Sequence, residues 1–292
     1  MKRFFCFVLT VLLFCLSAGC KWTKDPNGYP LTVGDITLNE QPKKIAVTSY
    51  ALKSAMESLG FGGVTVDATA VFVSGVGDLT GGDSEVGVVL TNEELYPAQK
   101  TALQGAGVPV IKLKLPETLV EMRSYWETLG RIANGNKGAL SAAASFEHFA
   151  AEILNLKKIK ETTAVVLYDK EHCAVSGLAA EALTTAGYKN VATDMEITPV
   201  RLKELEPEYI FITSGSKEQF MSDEAFIALV AVANLQVFEV DVIGMTFGTQ
   251  KLFSEIKYMN SVAPAAEIIE GTTSLTDTSL DVDASQNISD DE

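Results

Sequence analysis

Two histidines, His148 and His172, are the only ones in the sequence. Protein-built zinc or manganese sites usually take several histidines, so this count disfavours such a site. Neither histidine belongs to a triad-like pattern, and the sequence contains no G-x-S-x-G segment. The glycine-rich segment at 75–82 (GVGDLTGG) fits neither the Rossmann spacing nor a phosphate-binding loop with its following lysine. We therefore expect no catalytic residue, no protein-held metal and no intrinsic cofactor.

Residues that directly follow predicted strands are the candidates for ligand binding. In an open α/β sheet, ligands bind beyond the carboxyl ends of the strands, and a large ligand is held by aromatic area and a few directed polar groups. The imidazole of His172 could coordinate a metal in the ligand or form a hydrogen bond, and an ordinary exposed loop position is its alternative. For Phe247, core packing is an equal alternative. The predicted ligand-binding residues are Tyr50, Tyr96, His172, Met245 and Phe247.

The elements that must position these residues alternate along the chain. Short, β-branched segments that are apolar on both faces predict strands of a parallel sheet covered by helices. The predicted strands are 44–49, 64–70, 86–91, 108–115, 163–168, 209–213 and 237–242. The predicted helices are 51–59, 97–105, 117–133, 179–186, 199–205 and 222–232. This order indicates an α/β protein.

A long helix is predicted between the two groups of strands. Residues 137–160 have apolar side chains at helical spacing after an alanine-rich start. A helix of about 20 residues spans about 30 Å, the width of a small domain. We expect it to connect an N-terminal lobe (38–136) to a C-terminal lobe (161–266), with a cleft between them.

The N-terminus has the features of an exported protein. Lys2 and Arg3 precede an apolar run at 4–16, which is too short to span a membrane and is typical of a signal peptide. The segment 16–20 (LSAGC) resembles a bacterial lipobox, which implies a signal peptide at 1–19 and a lipid on Cys20. The alternative is an ordinary signal peptide with a chance cysteine. Residues 20–37, with Pro26 and Pro30, are interpreted as a linker.

The charge distribution excludes one class of partner. The formal net charge is −15, whereas a protein that binds nucleic acid needs a basic face. Residues 267–292 contain eight acidic residues and neither Lys nor Arg. Such a segment is predicted to be a disordered acidic tail, and a specific interaction tail is the alternative.

Four segments, in this order, resemble one family. They are 41–49 (QPKKIAVTS), 106–110 (AGVPV), 186–192 (AGYKNVA) and 202–212 (LKELEPEYIFI). Together they resemble the iron–siderophore, haem and cobalamin binding proteins of ABC importers, over about residues 38–264. Residues 75–84 stand where that family has a further helix, so the first lobe is abbreviated.

The resemblance implies both a fold and a function. It implies two Rossmann-like lobes with mostly parallel sheets, joined by one long helix, and a ligand such as haem, a ferric siderophore or cobalamin. Together with the lipobox-like segment, it also implies a lipid-anchored monomer at the bacterial cell envelope that delivers its ligand to the permease. The family docks through one carboxylate on each lobe, for which the candidates are Glu93, Glu94 and Glu218. A zinc or manganese receptor, a structural lipoprotein and an α/β enzyme are the alternatives.

Overall fold

The computed structural model describes residues 27–69, 77–80 and 85–266. The predicted signal peptide (1–19), Cys20 and the acidic tail (267–292) lie outside these residues, as does most of the segment 75–84. Within the described part of the chain, no helix is both long and apolar enough to cross a membrane.

The segment interpreted as a linker is folded wherever it is described. Two short strands, β1 (Leu31–Val33) and β2 (Ile36–Leu38), pair as an antiparallel hairpin. The side chain of Tyr29 is 2% exposed, and its hydroxyl donates to the carbonyl of Ile132 at 2.9 Å. The linker interpretation is therefore wrong for residues 27–37, because contacts with a distant helix order this segment.

Two four-stranded parallel sheets form the centre of the molecule. The first contains β3 (Lys44–Val47), β4 (Thr65–Asp67), β5 (Val86–Thr91) and β6 (Val110–Lys112), in the order β4-β3-β5-β6. The second contains β7 (Thr163–Leu167), β8 (Lys189–Asn190), β9 (Tyr209–Thr213) and β10 (Val237–Val240), in the order β10-β9-β7-β8. We call β1–β6 with their helices the first lobe and β7–β10 with theirs the second lobe. The α/β prediction with mostly parallel sheets is confirmed.

Helices connect the strands of both sheets. They are α1 (Tyr50–Ser58), α2 (Gly77–Thr80), α3 (Pro97–Gly105), α4 (Leu119–Ile153), α5 (Gly177–Thr185), α6 (Pro199–Leu205), α7 (Lys217–Met221), α8 (Val230–Ala233), α9 (Val242–Thr246) and α10 (Lys251–Val262). Their starts use local signals: the Ser49 side chain accepts from the N–H of Leu52, and the Thr198 side chain accepts from the N–H of Arg201.

The long helix α4 consists of two segments joined by a sharp turn. Asn134 and Gly135 have non-helical backbone angles, and Gly135 has a φ of 56°. A straight helix would place Gly130 and Gly138 about 12 Å apart, whereas a Cβ atom on Gly130 would lie 2.3 Å from the carbonyl oxygen of Gly138. The two segments therefore pack against each other as a helical hairpin, and the absence of side chains at both glycines permits this approach.

The second segment of α4 is the predicted connecting helix, and it ends earlier than predicted. It ends at Ile153 rather than at 160. The chain beyond it runs beside the C-terminal end of the described residues. The N–H of Lys160 donates to the carbonyl of Pro264, and the N–H of Ala266 donates to the carbonyl of Lys158. These long-range backbone bonds replace the helical ones.

Two further differences from prediction lie in the second lobe. Residues 222–232 were expected to form one helix, but only Val230–Ala233 is helical there. The Asp223 side chain accepts from the N–H of Ala225 at 3.0 Å, a local bond that competes with helix formation. The helix α10, which buries Leu252, Phe253 and Ile256, was not predicted at all.

The two lobes share one hydrophobic core. A single cluster contains Leu90 and Ile111 of the first sheet, Val166 and Phe211 of the second sheet, and Trp126 of α4. Each of these side chains is at most 2% exposed. The lobes are therefore packed together at their base and are separated only toward the strand ends.

Candidate functional site

A cavity of about 570 Å³ opens between the lobes at the ends of β5, β6 and β7. This volume lies within the range of about 300–1,000 Å³ that is usual for ligand sites. From the first lobe, including the segment just before α4, it is lined by Asn92, Glu93, Lys112, Lys114, Leu115, Pro116 and Glu117. From the second lobe it is lined by Tyr168, Gly177, Leu178 and Thr246. We call this cavity the interlobe cleft.

The first-lobe wall is held together by Asn92, which follows β5. The Ser49 hydroxyl, which caps α1, is hydrogen-bonded to Asn92 Oδ1. Asn92 Nδ2 donates to the carbonyl of Leu113 at 2.9 Å. One side chain thus ties together the loops that follow β3, β5 and β6, which keeps this wall in place without a ligand.

Tyr168 supplies the aromatic surface of the opposite wall. It follows β7, and two hydrogen bonds fix its backbone. Its N–H donates to the backbone carbonyl of His172 at 2.9 Å, and its own carbonyl accepts from Thr213 Oγ1 at 2.8 Å. Burial raises the pKa of Tyr168 above its usual value. The side chain therefore stays a neutral phenol at physiological pH, able to donate a hydrogen bond and to contact a flat ligand through its ring.

Lysines and carboxylates alternate on the first-lobe side. Lys112 Nζ lies 2.9 Å from Glu94 Oε1, and Lys114 Nζ lies 2.9 Å from Glu117 Oε1. Glu94 also pairs with Lys100 at 2.7 Å. Hydrogen bonds from Lys100 and Lys112 lower the pKa of Glu94 to about 2. The cleft therefore offers charged groups of both signs to a ligand.

The base of the cleft is closed by contacts between the lobes. Trp126 Nε1 donates to the carbonyl of Gly248 at 2.7 Å, in a fully buried environment. Pro116 of the first lobe packs closely against the backbone of Gly248, since a Cβ atom on Gly248 would lie only 2.7 Å from Pro116 Cγ. The carboxylate of Glu181 accepts a 2.6 Å hydrogen bond from the N–H of Leu119.

The structure places the five predicted ligand-binding residues apart from one another. Tyr50 and Tyr96 are 65% and 75% exposed at the starts of α1 and α3, outside the cleft lining. Met245 is fully buried in the shared core, so the expectation that it contacts ligand is corrected: α9 turns its thioether inward. Phe247 lines a second interlobe cavity of about 450 Å³, beside α1. His172 belongs to neither cavity.

His172 instead belongs to the turn behind Tyr168. Its Nδ1 lies 2.9 Å from the Asp169 carboxylate, which also accepts from the N–H groups of Glu171 and His172. The hydrogen bond to Asp169 raises the pKa of His172. The position therefore matches the alternative of an exposed loop histidine.

The three candidate docking carboxylates differ in their environments. Glu94 is neutralised by two lysines, as described above. Glu93 is exposed, lines the cleft and makes no ion pair with a described residue. Glu218 is exposed in the first turn of α7 and likewise has no ion-pair partner within the described ranges.

Several cleft residues are absent from the predicted site because they lie in predicted strands. Lys112 and Lys114 lie within the predicted strand 108–115, and Tyr168 is the last residue of the predicted strand 163–168. The observed strands end earlier, at Lys112 and at Leu167. The alternation of Lys with apolar residues is the available signal, because it is typical of an edge strand with one face in solvent, and β6 is the edge strand of its sheet.

No family model and no curated protein sequence matches the chain. Solved structures do match. An ABC-type Fe³⁺-hydroxamate transport protein from Saccharomonospora viridis superposes with a TM-score of 0.60 at 17% identity, covering 80% of this chain and 98% of that one. The periplasmic haem-binding protein of Roseiflexus gives a TM-score of 0.60 at 14% identity, covering 75% and 97%.

A third match is the vitamin B12 binding protein of Vibrio cholerae, with a TM-score of 0.57 at 13% identity, covering 76% of this chain and 98% of that one. The fold is that of periplasmic substrate-binding proteins. All three are transport or binding proteins, and none is an enzyme. Among the described residues, no group of three or more His, Cys, Asp or Glu side chains is placed to hold a metal ion.

Proposed function

We propose that this chain is a lipid-anchored substrate-binding protein that captures an iron chelate, haem or a cobalamin-like ligand and delivers it to the permease of an ABC importer. The observation that carries the proposal is the interlobe cleft. It lies where parallel strands of both lobes end, in a fold that this chain shares with binding proteins for such ligands.

The chemistry of the cleft suits a large ligand with a polar edge. Leu115 provides partly exposed apolar surface, backed by the buried side chains of Pro116 and Leu178, and Tyr168 provides a ring and a phenolic donor. Lys112 and Lys114 can exchange their carboxylate partners for acidic groups of a ligand, because those ion pairs are solvent-exposed and weak.

The anchor and the permease partner rest on sequence motifs. The lipobox-like segment ending at Cys20 supports attachment to a bacterial membrane on its outer side. For docking, we propose Glu93 and Glu218, one on each lobe, because both carboxylates are exposed and free of ion pairs with described residues. Charge-assisted contacts of this kind contribute orientation and association rate more than affinity.

Ligand binding tests the proposal directly. The mature protein is titrated calorimetrically with haemin, cyanocobalamin and ferrichrome, and at least one of them should bind. Tyr168→Ala and Leu115→Ala should then weaken binding of that probe by about 1–3 kcal/mol, or roughly 5- to 150-fold. The control Tyr258→Ala removes a half-exposed tyrosine outside the cleft and should leave affinity unchanged.

Two results would contradict this proposal. If none of the three probes binds, the ligand class is wrong. If a probe binds but the cleft variants match the control, the site is elsewhere. Uptake by whole cells tests delivery: Glu218→Lys should abolish transport and leave the affinity of the purified protein intact.

A further inference from the structure

Glu181 reaches from the second lobe to the first at the edge of the interlobe cleft. It lies on α5, three residues after Leu178 and four after Gly177, and therefore on the helix face that lines the cleft. Its Oε2 accepts a 2.6 Å hydrogen bond from the N–H of Leu119, the first residue of α4. A second-lobe side chain thus binds the start of the helix that follows the first sheet.

The contact has the chemistry of a strong helix cap. The first N–H groups of a helix have no partner within the helix, and this end carries a partial positive charge. A carboxylate there forms a short charge-assisted bond. The other caps at this end of α4 are local. Thr118 Oγ1 accepts from the backbone N–H of Glu121, and the Glu121 carboxylate accepts from the backbone N–H of Glu117. Glu181 is the cap that crosses between the lobes.

Movement at the start of α4 would move the wall of the cleft. Pro116 and Glu117, which line the cleft, immediately precede the capped turn. Trp126 and Pro116 both contact Gly248 of the second lobe. The Glu181 bond adds a hydrogen bond between α5 and the first turn of α4.

We propose that Glu181 is a positioning residue that sets the width of the interlobe cleft by holding the start of α4 against α5. The inference rests on the proposed function in that the cleft is taken to bind the ligand. Its effect on cleft width, however, can be measured without any ligand.

Affinity measurements with a matched control provide the first test. Glu181→Ala removes the crossing cap, whereas Thr118→Ala removes a local cap at the same helix end. For whichever of haemin, cyanocobalamin and ferrichrome binds the wild type, Glu181→Ala should weaken affinity about tenfold. Glu181→Gln, which keeps a neutral acceptor, should restore part of that loss. Thr118→Ala should lower the melting temperature but change affinity less than about twofold.

Interlobe distance provides the second test. Spin labels are attached to cysteines introduced at Gln104 of α3 and Lys203 of α6, both exposed, with Cys20→Ser to avoid labelling the anchor position. The native Cys173 is fully buried. Pulsed electron resonance should show a broader or longer distance distribution for Glu181→Ala than for Thr118→Ala in the ligand-free protein.

The two tests separate failure of this inference from failure of the proposed function. If Glu181→Ala and Thr118→Ala give the same distance distribution and affinity, the positioning role is wrong. If no probe binds the wild type but Glu181→Ala still broadens the distribution, the positioning role stands and the ligand class is wrong.

Discussion

The hydroxyl of Tyr29 is expected to stabilise the turn within α4. Where the helix breaks at Asn134, the carbonyls of the preceding turn lose their helical partners. Tyr29 donates to Ile132 at 2.9 Å and lies 3.2 Å from the carbonyl of Arg131, and Gln41 Nε2 donates to Ala133 at 2.9 Å. The N-terminal segment thus replaces the missing helical donors.

The size of the effect follows from burial. Tyr29→Phe keeps the ring in place but leaves a buried carbonyl without its donor, which costs about 1–3 kcal/mol. For a chain of this size, each kcal/mol lowers the melting temperature by about 2–4 °C. Tyr29→Phe should therefore lower it by several degrees, measured by calorimetry and by urea denaturation of the mature protein.

A matched variant and an exchange measurement complete the test. Tyr258→Phe removes a hydroxyl from a half-exposed tyrosine and should change stability by less than about 0.5 kcal/mol. Hydrogen exchange should also quicken at the amide of Asn136, which donates to the Asn27 carbonyl at 2.8 Å. Equal stability of the two phenylalanine variants would refute the reasoning, because the N-terminal segment would then not brace the turn.

Three other perturbations have defined outcomes. Gly130→Ala should destabilise the protein by about 1–3 kcal/mol or more, because the added Cβ would collide with the Gly138 carbonyl. The control Gly105→Ala, whose Cβ would meet nothing within 4 Å, should be neutral or stabilising. Equal shifts of the urea denaturation midpoint in the two variants would contradict this. The ion pairs of Glu94, whose pKa is lowered to about 2, should stabilise the protein above about pH 4 and be lost as pH falls toward 2. Glu94→Gln should reduce that acid dependence in denaturation measured across this range, and an unchanged profile would contradict the assignment. Cys20→Ala should release the protein from membranes on cell fractionation; continued sedimentation with membranes would argue against lipidation.

The sequence by itself determined the fold class and most strands of the two parallel sheets. The strand 209–213 and the helices 97–105 and 199–205 were predicted with the bounds that the structure has. These segments are specified locally: β-branched apolar runs favour buried strands, and proline at the first helical position marks a helix start. The break before the connecting helix was also predictable, since Asn134 and Gly135 disfavour a continuous helix.

Only the tertiary structure decided which residues reach the cleft. The rule that ligands bind at the carboxyl ends of strands favours Tyr50, Tyr96 and His172. Several residues follow each strand, however, and local sequence does not tell which of them faces the other lobe. Tyr168 lines the cleft because Thr213 and His172 fix its backbone there.

Long-range contacts explain the remaining differences. Tyr29 is ordered by a hydrogen bond to Ile132, across 103 positions of the chain, and polar neighbours with Pro26 and Pro30 made its segment resemble a linker. Met245 and Phe247 stand two residues apart, yet one is buried in the core and the other lines a cavity, because α9 turns between them. Periodicity specifies which face of an element is apolar, whereas the partner that covers that face is decided only when the lobes pack together.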